Sequence, residues 1–278
     1  MISKRFEQFG FPLIIDETII PDDNTTLFVC SGMQRIRKRF LNPDNSKHGS
    51  LQSCIRTNDL ELVGDGSHLT YFEMLGNFSF GGDYKESVEL WHSILIDLKI
   101  KVDPVHYHPD CLKHRDLWTK LGYETVEDLE CVWSDGEIGG YCCEIYSNNV
   151  EIGNLVNTLG HSTDVGFGWQ RILSICGEPI DYSLVGDHKK TLECLWKNKI
   201  QPGAKGRNFI CRRLLRRLMP HVVDEKFIFD EWIDLEKKQQ EKKIREGRKS
   251  WRKNRHQPVE WWWSTCGILP EEIHLIKD

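Results

Sequence analysis

The chain reads as an α+β protein: a mostly antiparallel sheet flanked by helices, followed by a small helical domain. Three observations carry this. Up to about residue 182, short apolar runs alternate with Gly, Asp and Asn breaks, the texture of strands rather than of long helices. Those runs are not separated by the short, regular βα units that a doubly wound parallel sheet requires. After Pro179 the pattern turns helical through residues 192–196 and 209–219, then through a long charged stretch ending near Gly247. The expected division is therefore 1–182 and 183–278.

Taken in order, residues 13–15, 26–30, 70–75, 141–146 and 150–156 are the expected strands. Within the third, alternation sends Phe72 and Met74 to one face and Tyr71, Glu73 and Leu75 to the other. Residues 86–98 are an expected helix, because Val88, Trp91, Leu95 and Leu98 recur at helical spacing. On the later helix, Arg212/Arg216 and Arg213/Arg217 form i,i+4 pairs of like charge, which repel unless a phosphate backbone lies against them. The alternative is that Leu214, Leu215 and Leu218 face a core while the arginines pair with local acids.

Composition sets outer bounds. The 278 residues suffice for one large domain or two ordinary ones. No apolar run reaches about 18 residues, so no membrane span is expected. The first residues lack the apolar region of a signal peptide. Ten scattered cysteines, without a Cys-x-x-Cys pair or a His-x-x-x-His, suggest reduced thiols in a cytoplasmic protein and no protein-bound metal. The net charge of -5 conceals a partition. Residues 205–256 hold 17 Lys+Arg against 8 Asp+Glu, while the remainder holds 20 against 34. An acidic body with a basic C-terminal part suits contact with a polyanion, although a mixed-sign helix can also be simply solvated.

Three segments carry the chemistry. Arg56 follows Cys54-Ile55 at the apparent end of a strand; its planar five-donor fork suits a phosphate or carboxylate. Thr70 to Gly81 supplies Phe72 and Met74. Asp164-Val165-Gly166-Phe167-Gly168-Trp169-Gln170-Arg171 places two glycines, which let a ligand approach the backbone, between an acid and an arginine. Together these resemble the catalytic core of the alanyl-tRNA synthetases, a class II aminoacyl-tRNA synthetase family, from about residue 24 to residue 278. Further matches are Leu27 to Met33, Trp133 to Ile145, Glu151 to Val156 and the arginine helix.

The resemblance implies a class II synthetase-like sheet with ATP and Mg2+ as cofactors. It implies alanine activation to alanyl-adenylate and transfer to the 3′ end of a tRNA, read through the acceptor stem. By position, Arg56 and Arg171 inherit the catalytic role. Met33, Arg56, Asp59, Phe72, Met74, Gly168 and Arg171 inherit ATP binding, with Phe72 and Arg171 on either face of the adenine. Trp133, Asn154, Asp164 and Gly166 inherit the amino acid: Trp133 walls a methyl-sized pocket and Asp164 holds the ammonium group. Motif 1, at Leu27 to Met33, implies a sheet element. RNA contacts fall to Arg212, Arg213, Arg216, Arg217, Lys242, Lys243, Arg248 and Arg252, and Trp251 and Trp261 to Trp263 are candidates for base stacking or for a core.

Departures from the family pattern are specific. The loop after Arg56 is short and lacks its lysine, Gln170 replaces a glutamate, and Gly153 replaces a tryptophan. Gly203-Ala204-Lys205 and Ser264 stand where the family reads a G:U pair. The expectation is a miniature form, monomer or homodimer, without editing and C-terminal domains, so that mischarged serine or glycine goes uncorrected in cis. Two alternatives remain: a paralogue that loads a non-tRNA acceptor, and a non-catalytic RNA-binding paralogue.

Overall fold

The computed structural model of the chain describes residues 1–22, 25–82, 84–222 and 225–277. Residue 24, where the resemblance begins, lies outside them, as does residue 278, where it ends. The chain divides into two compact units, Met1–Ser183 and Leu184–Asp278.

In the first unit α1 (Ile2–Gln8) leads into β1 (Leu13–Asp16), α2 (Lys38–Leu41), β2 (Lys47–Ile55) and β3 (Tyr71–Ser79). Then come α3 (Lys85–Asp97), β4 (Val105–Tyr107), α4 (Leu112–Lys120), β5 (Thr125–Glu127) and β6 (Val132–Ser134). The unit ends on β7 (Gly139–Ser147), β8 (Val150–Thr158), β9 (Ser162–Gly168) and α5 (Trp169–Ile175). The strands form a sheet in the order β1-β2-β3-β9-β8-β7-β4-β5, with β6 paired on β7. Only β1–β2 and β4–β5 run parallel among the described pairs; the remainder are antiparallel.

Period-two alternation divides the central strands between two faces. Leu75, Cys143, Ile145, Leu155, Val165 and Phe167 turn to a core shared with Trp91, Ile94 and Leu95 of α3, Trp118 of α4 and Ile172 of α5. Trp91 stacks on Phe167 with ring centroids 3.6 Å apart. Its indole N–H donates to Asn77 Oδ1 at 2.8 Å, and Asn77 Nδ2 donates to Ser87 Oγ at 2.7 Å, so this buried polar trio is satisfied. The opposite face is left for a ligand.

Two expectations need correction. Residues 26–30 form no strand: Val29 makes isolated backbone bonds, its N–H to the Ile19 carbonyl and its carbonyl to the Ile55 N–H, instead of a ladder. The motif 1 segment therefore packs beside the sheet without joining it. The charged helix does not stop near Gly247 either; it runs from Asp230 to Asn254.

The second unit contains α6 (Leu184–Lys197), α7 (Gly206–Leu218) and the 25-residue α8 (Asp230–Asn254). Leu214, Leu215 and Leu218 are buried, as the apolar spacing of α7 requires. Gly247 lies inside α8 because a β-carbon there would stand 2.4 Å from Ile268 Cδ1. Trp262, Ile268, Ile273 and Ile276 form a small core with Trp251 and Trp261 packed against it. Trp263 is 38% exposed and lies 5.7 Å from the Phe209 ring.

Candidate active site

The open face of β3, β9, β8 and β7 lines a cavity of about 340 Å3, within the size range of small-ligand sites. Its floor follows from register. Gly76, Gly166, Asn154 and Glu144 are successive cross-strand partners, and Met74 lies beside Gly168 in the next row. The floor is low at its middle because small residues meet there. A β-carbon on Gly76 would lie 2.2 Å from the Val165 carbonyl oxygen, so nothing larger fits without parting the strands.

All eleven residues named for ATP and the amino acid reach the wall of this one cavity. Met33, Arg56, Asp59, Phe72, Met74, Gly168 and Arg171 line it together with Trp133, Asn154, Asp164 and Gly166. The Met33 side chain is buried against Phe40, Phe78, Phe80 and Ile138. The Gly32 N–H donates to Met74 Sδ at 3.3 Å. Arg56 is held by its Nε, which donates to the Cys30 carbonyl at 2.9 Å, and its guanidinium lies 5.0 Å from the Phe72 ring centroid. Arg171 Nη1 donates to the Glu151 carbonyl at 2.7 Å and stands 3.5 Å from that residue's carboxylate.

The charges do not balance within the protein. Asp164 is buried, and among the described residues no basic side chain pairs with it. Loss of water pushes its carboxyl up to about 7, with Asp135 adding a smaller like-charge push. Such a group is stabilised by a cation supplied from outside. Gln170 answers a local need: its Oε1 accepts from the Glu73 N–H at 2.8 Å while its Nε2 donates to Glu73 Oε2 at 3.0 Å. A glutamate there would face Glu73 with like charge.

Several lining residues carried no assignment from the sequence: Ser31, Ser67, His68, Glu144, Glu151 and Tyr182. Glu144 could have been found by pairing β7 with β8, since it is the register partner of Asn154. Ser67 and His68 sit on a loop turned by Asp65, whose carboxylate accepts from both of their N–H groups and lies well below the usual range for that reason. Nothing in the local sequence pattern marks that approach.

The basic helices separate into exposed and committed residues. Lys242, Arg248 and Arg252 are exposed; Arg212, Arg213, Arg217 and Lys243 are half-buried. Arg216 is a correction. It is 3% exposed, with Nε 2.5 Å from Glu236 and Nη1 3.2 Å from Glu272 and 2.8 Å from the Gly267 carbonyl. The like-charge repulsion expected along α7 is thus relieved at this position by buried acids, and Arg216 is removed from any RNA surface.

The family profile described as tRNA synthetases class II (A) matches residues 5–152. An alanine–tRNA ligase of Desulfitobacterium hafniense (strain Y51) is 27% identical over 85% of this chain and 37% of that protein. One of Ehrlichia chaffeensis is 30% identical over 75% of this chain and 32% of that protein. The chain therefore spans about a third of the length of these curated relatives. Among solved structures, that of the apo histidyl-tRNA synthetase of S. aureus is similar at a TM-score of 0.44 and 10% identity, covering 77% of this chain and 81% of that one.

Proposed function

The chain belongs to the class II (A) tRNA synthetases, and we propose that within this family it activates alanine with ATP and passes the alanyl group to the 3′ end of a tRNA. One observation carries the reading: a buried carboxylate without a protein cation, Asp164, shares a cavity with two anchored arginines. An amino acid and a nucleoside triphosphate supply the partners, an ammonium for Asp164, phosphate oxygens for Arg56 and an aromatic base for Arg171.

In the first step the alanine carboxylate oxygen attacks the ATP α-phosphorus, the bond to the β-phosphate bridging oxygen breaks, and pyrophosphate leaves. Arg56 neutralises charge gathering on the α-phosphate, while Arg171 and Phe72 hold the base from two sides. Asp164 and Asn154 fix the amino acid's polar end, and Trp133 limits its side chain. In the second step a ribose hydroxyl attacks the adenylate carbonyl and AMP leaves. Glu151, a hard oxygen donor on the cavity wall, would be the residue to hold Mg2+ there. When bound, Mg2+ supplies charge neutralisation at those phosphates.

ATP–pyrophosphate exchange with one amino acid at a time tests this. Alanine should support exchange, and Arg56→Ala should slow it by roughly a hundred- to a thousandfold. Exchange with no amino acid, whether tRNA is present or absent, would overturn the reading.

A further inference from the structure

The face that carries the cavity continues past it into a cluster of sulfur ligands. Cys131 immediately precedes β6 and, by extension of the β6–β7 register, lies opposite Cys142; the Cys142 N–H donates to the Cys131 carbonyl at 3.0 Å. Glu144 follows two residues along β7, on the same face as Cys142. The two sulfurs and a Glu144 carboxylate oxygen all lie within 4.8 Å of one another. Both cysteines are fully buried beside Val156 and Trp133, whereas Glu144 is half-buried and lines the cavity. The Tyr146 hydroxyl donates to Glu144 Oε2 at 2.7 Å and so fixes the carboxylate.

A buried thiol commonly packs as a small hydrophobe, and that suffices for Cys54 or Cys211. It does not account for two thiols converging on a carboxylate that stays half in water. We propose that Cys131, Cys142 and Glu144 bind a thiophilic divalent cation of the zinc class at the edge of the cavity. Two thiolates with one carboxylate suit zinc and not magnesium, and three protein ligands leave one tetrahedral position open. The position of Glu144 on the wall turns that vacancy toward the cavity. The Tyr146 hydroxyl acts as the outer support that such ligands ordinarily have. Bound there, the ion ties β6 to β7 two residues from Trp133 and stiffens that wall. The sequence spacing conceals the site, because the cysteines are brought together by strand register and not by a Cys-x-x-Cys turn.

Cobalt(II) is the probe, since thiolate ligation produces an intense ultraviolet charge-transfer absorption. The reduced chain is titrated with cobalt chloride in the absence of ATP, amino acid and tRNA, so the result is independent of the proposed activity. One equivalent should saturate the absorption, and zinc should then bleach it. Cys131→Ser and Cys142→Ser should each remove most of the band, and Cys176→Ser, at an exposed cysteine, should leave it intact. Glu144→Gln keeps shape at a half-buried position, so it tests the site without threatening the fold; it should weaken cobalt binding at least tenfold. Tyr146→Phe should cost roughly tenfold. Absence of a thiolate band, or a band undiminished in both Cys142→Ser and Glu144→Gln, overturns the proposal. Mild oxidation that joins Cys131 to Cys142 in a chain taking up no metal would overturn it as well, reassigning the pair as a disulfide.

Discussion

Asp164 concentrates the chemistry of the cavity in one titration. Below its ordinary value of 3.8 the carboxyl is neutral whether folded or unfolded. Between 3.8 and about 7 the unfolded chain ionises it and the ligand-free folded chain does not. The folded state then holds the extra proton, so this residue's contribution to stability falls as pH rises through that window and levels off above it. Asp164→Asn keeps the neutral shape. The ligand-free variant should therefore gain in Tm relative to the parent as pH rises from about 4 to about 7, and thermal scans across that range check it. The opposite holds for substrate. An ammonium needs the ionised form, so the parent should bind alanine more tightly as pH rises toward about 7, while Asp164→Asn should raise the alanine KM by roughly ten- to a hundredfold at and above pH 7 and by progressively less as pH falls below it. A variant both less stable at high pH and unaltered in KM would remove Asp164 from the amino-acid site.

Strand pairing explains what the sequence disclosed and what it withheld. Two-residue alternation, a local signal, puts Phe72 and Met74 on one face, while Asn154, Asp164, Gly166 and Gly168 are expected from the resemblance of short motifs to the family; all six line the cavity. The sequence pattern marks no strand at 162–168, because Asp164, Gly166 and Gly168 are poor strand formers; pairing on both sides by β3 and β8 imposes the conformation. Residues 26–30 fail the other way, apolar and β-branched but without a neighbour to complete a ladder. Gly153 shows coupling between β8 and β9. A β-carbon there would lie 2.4 Å from the Phe167 ring, so the small residue, standing where the family pattern has tryptophan, makes room for the large one. Gly153→Ala should destabilise the fold by about 1–3 kcal/mol, and Phe167→Met should return part of that, with a coupling of about 0.5–3 kcal/mol in a double-mutant cycle followed by urea unfolding. Additive losses would mean that the two strands adjust independently. On α7, Arg216→Met leaves Glu236 and Glu272 buried without their cation, at an expected cost of about 3–5 kcal/mol by the same measurement. Sequence could not sort Arg216 from Arg212, because its partners lie 20 and 56 residues away.

Charge along the full chain makes a claim that burial then narrows. The excess of Lys+Arg between residues 205 and 256 predicts a polyanion partner, which under the proposed function is tRNA. Counterion release makes the prediction quantitative, because each phosphate contact contributes about 0.7–0.9 to the fall of log affinity with log salt. Residues already committed to buried acids or to packing contribute little, which sets Arg216 aside and discounts half-buried Lys243, where loss of water lowers the ammonium pKa. Lys242 and Arg252 are exposed on α8. Replacing both with glutamine should flatten the salt dependence of tRNA binding by roughly 1.4–1.8 in slope and weaken binding most at low salt. Filter binding or fluorescence anisotropy over a salt series gives the slope directly. If the slope stays the same, Lys242 and Arg252 belong to a solvated charged face and make no phosphate contact. If it falls by the expected amount, Lys242 and Arg252 each make a phosphate contact and the basic segment contributes directly to RNA binding.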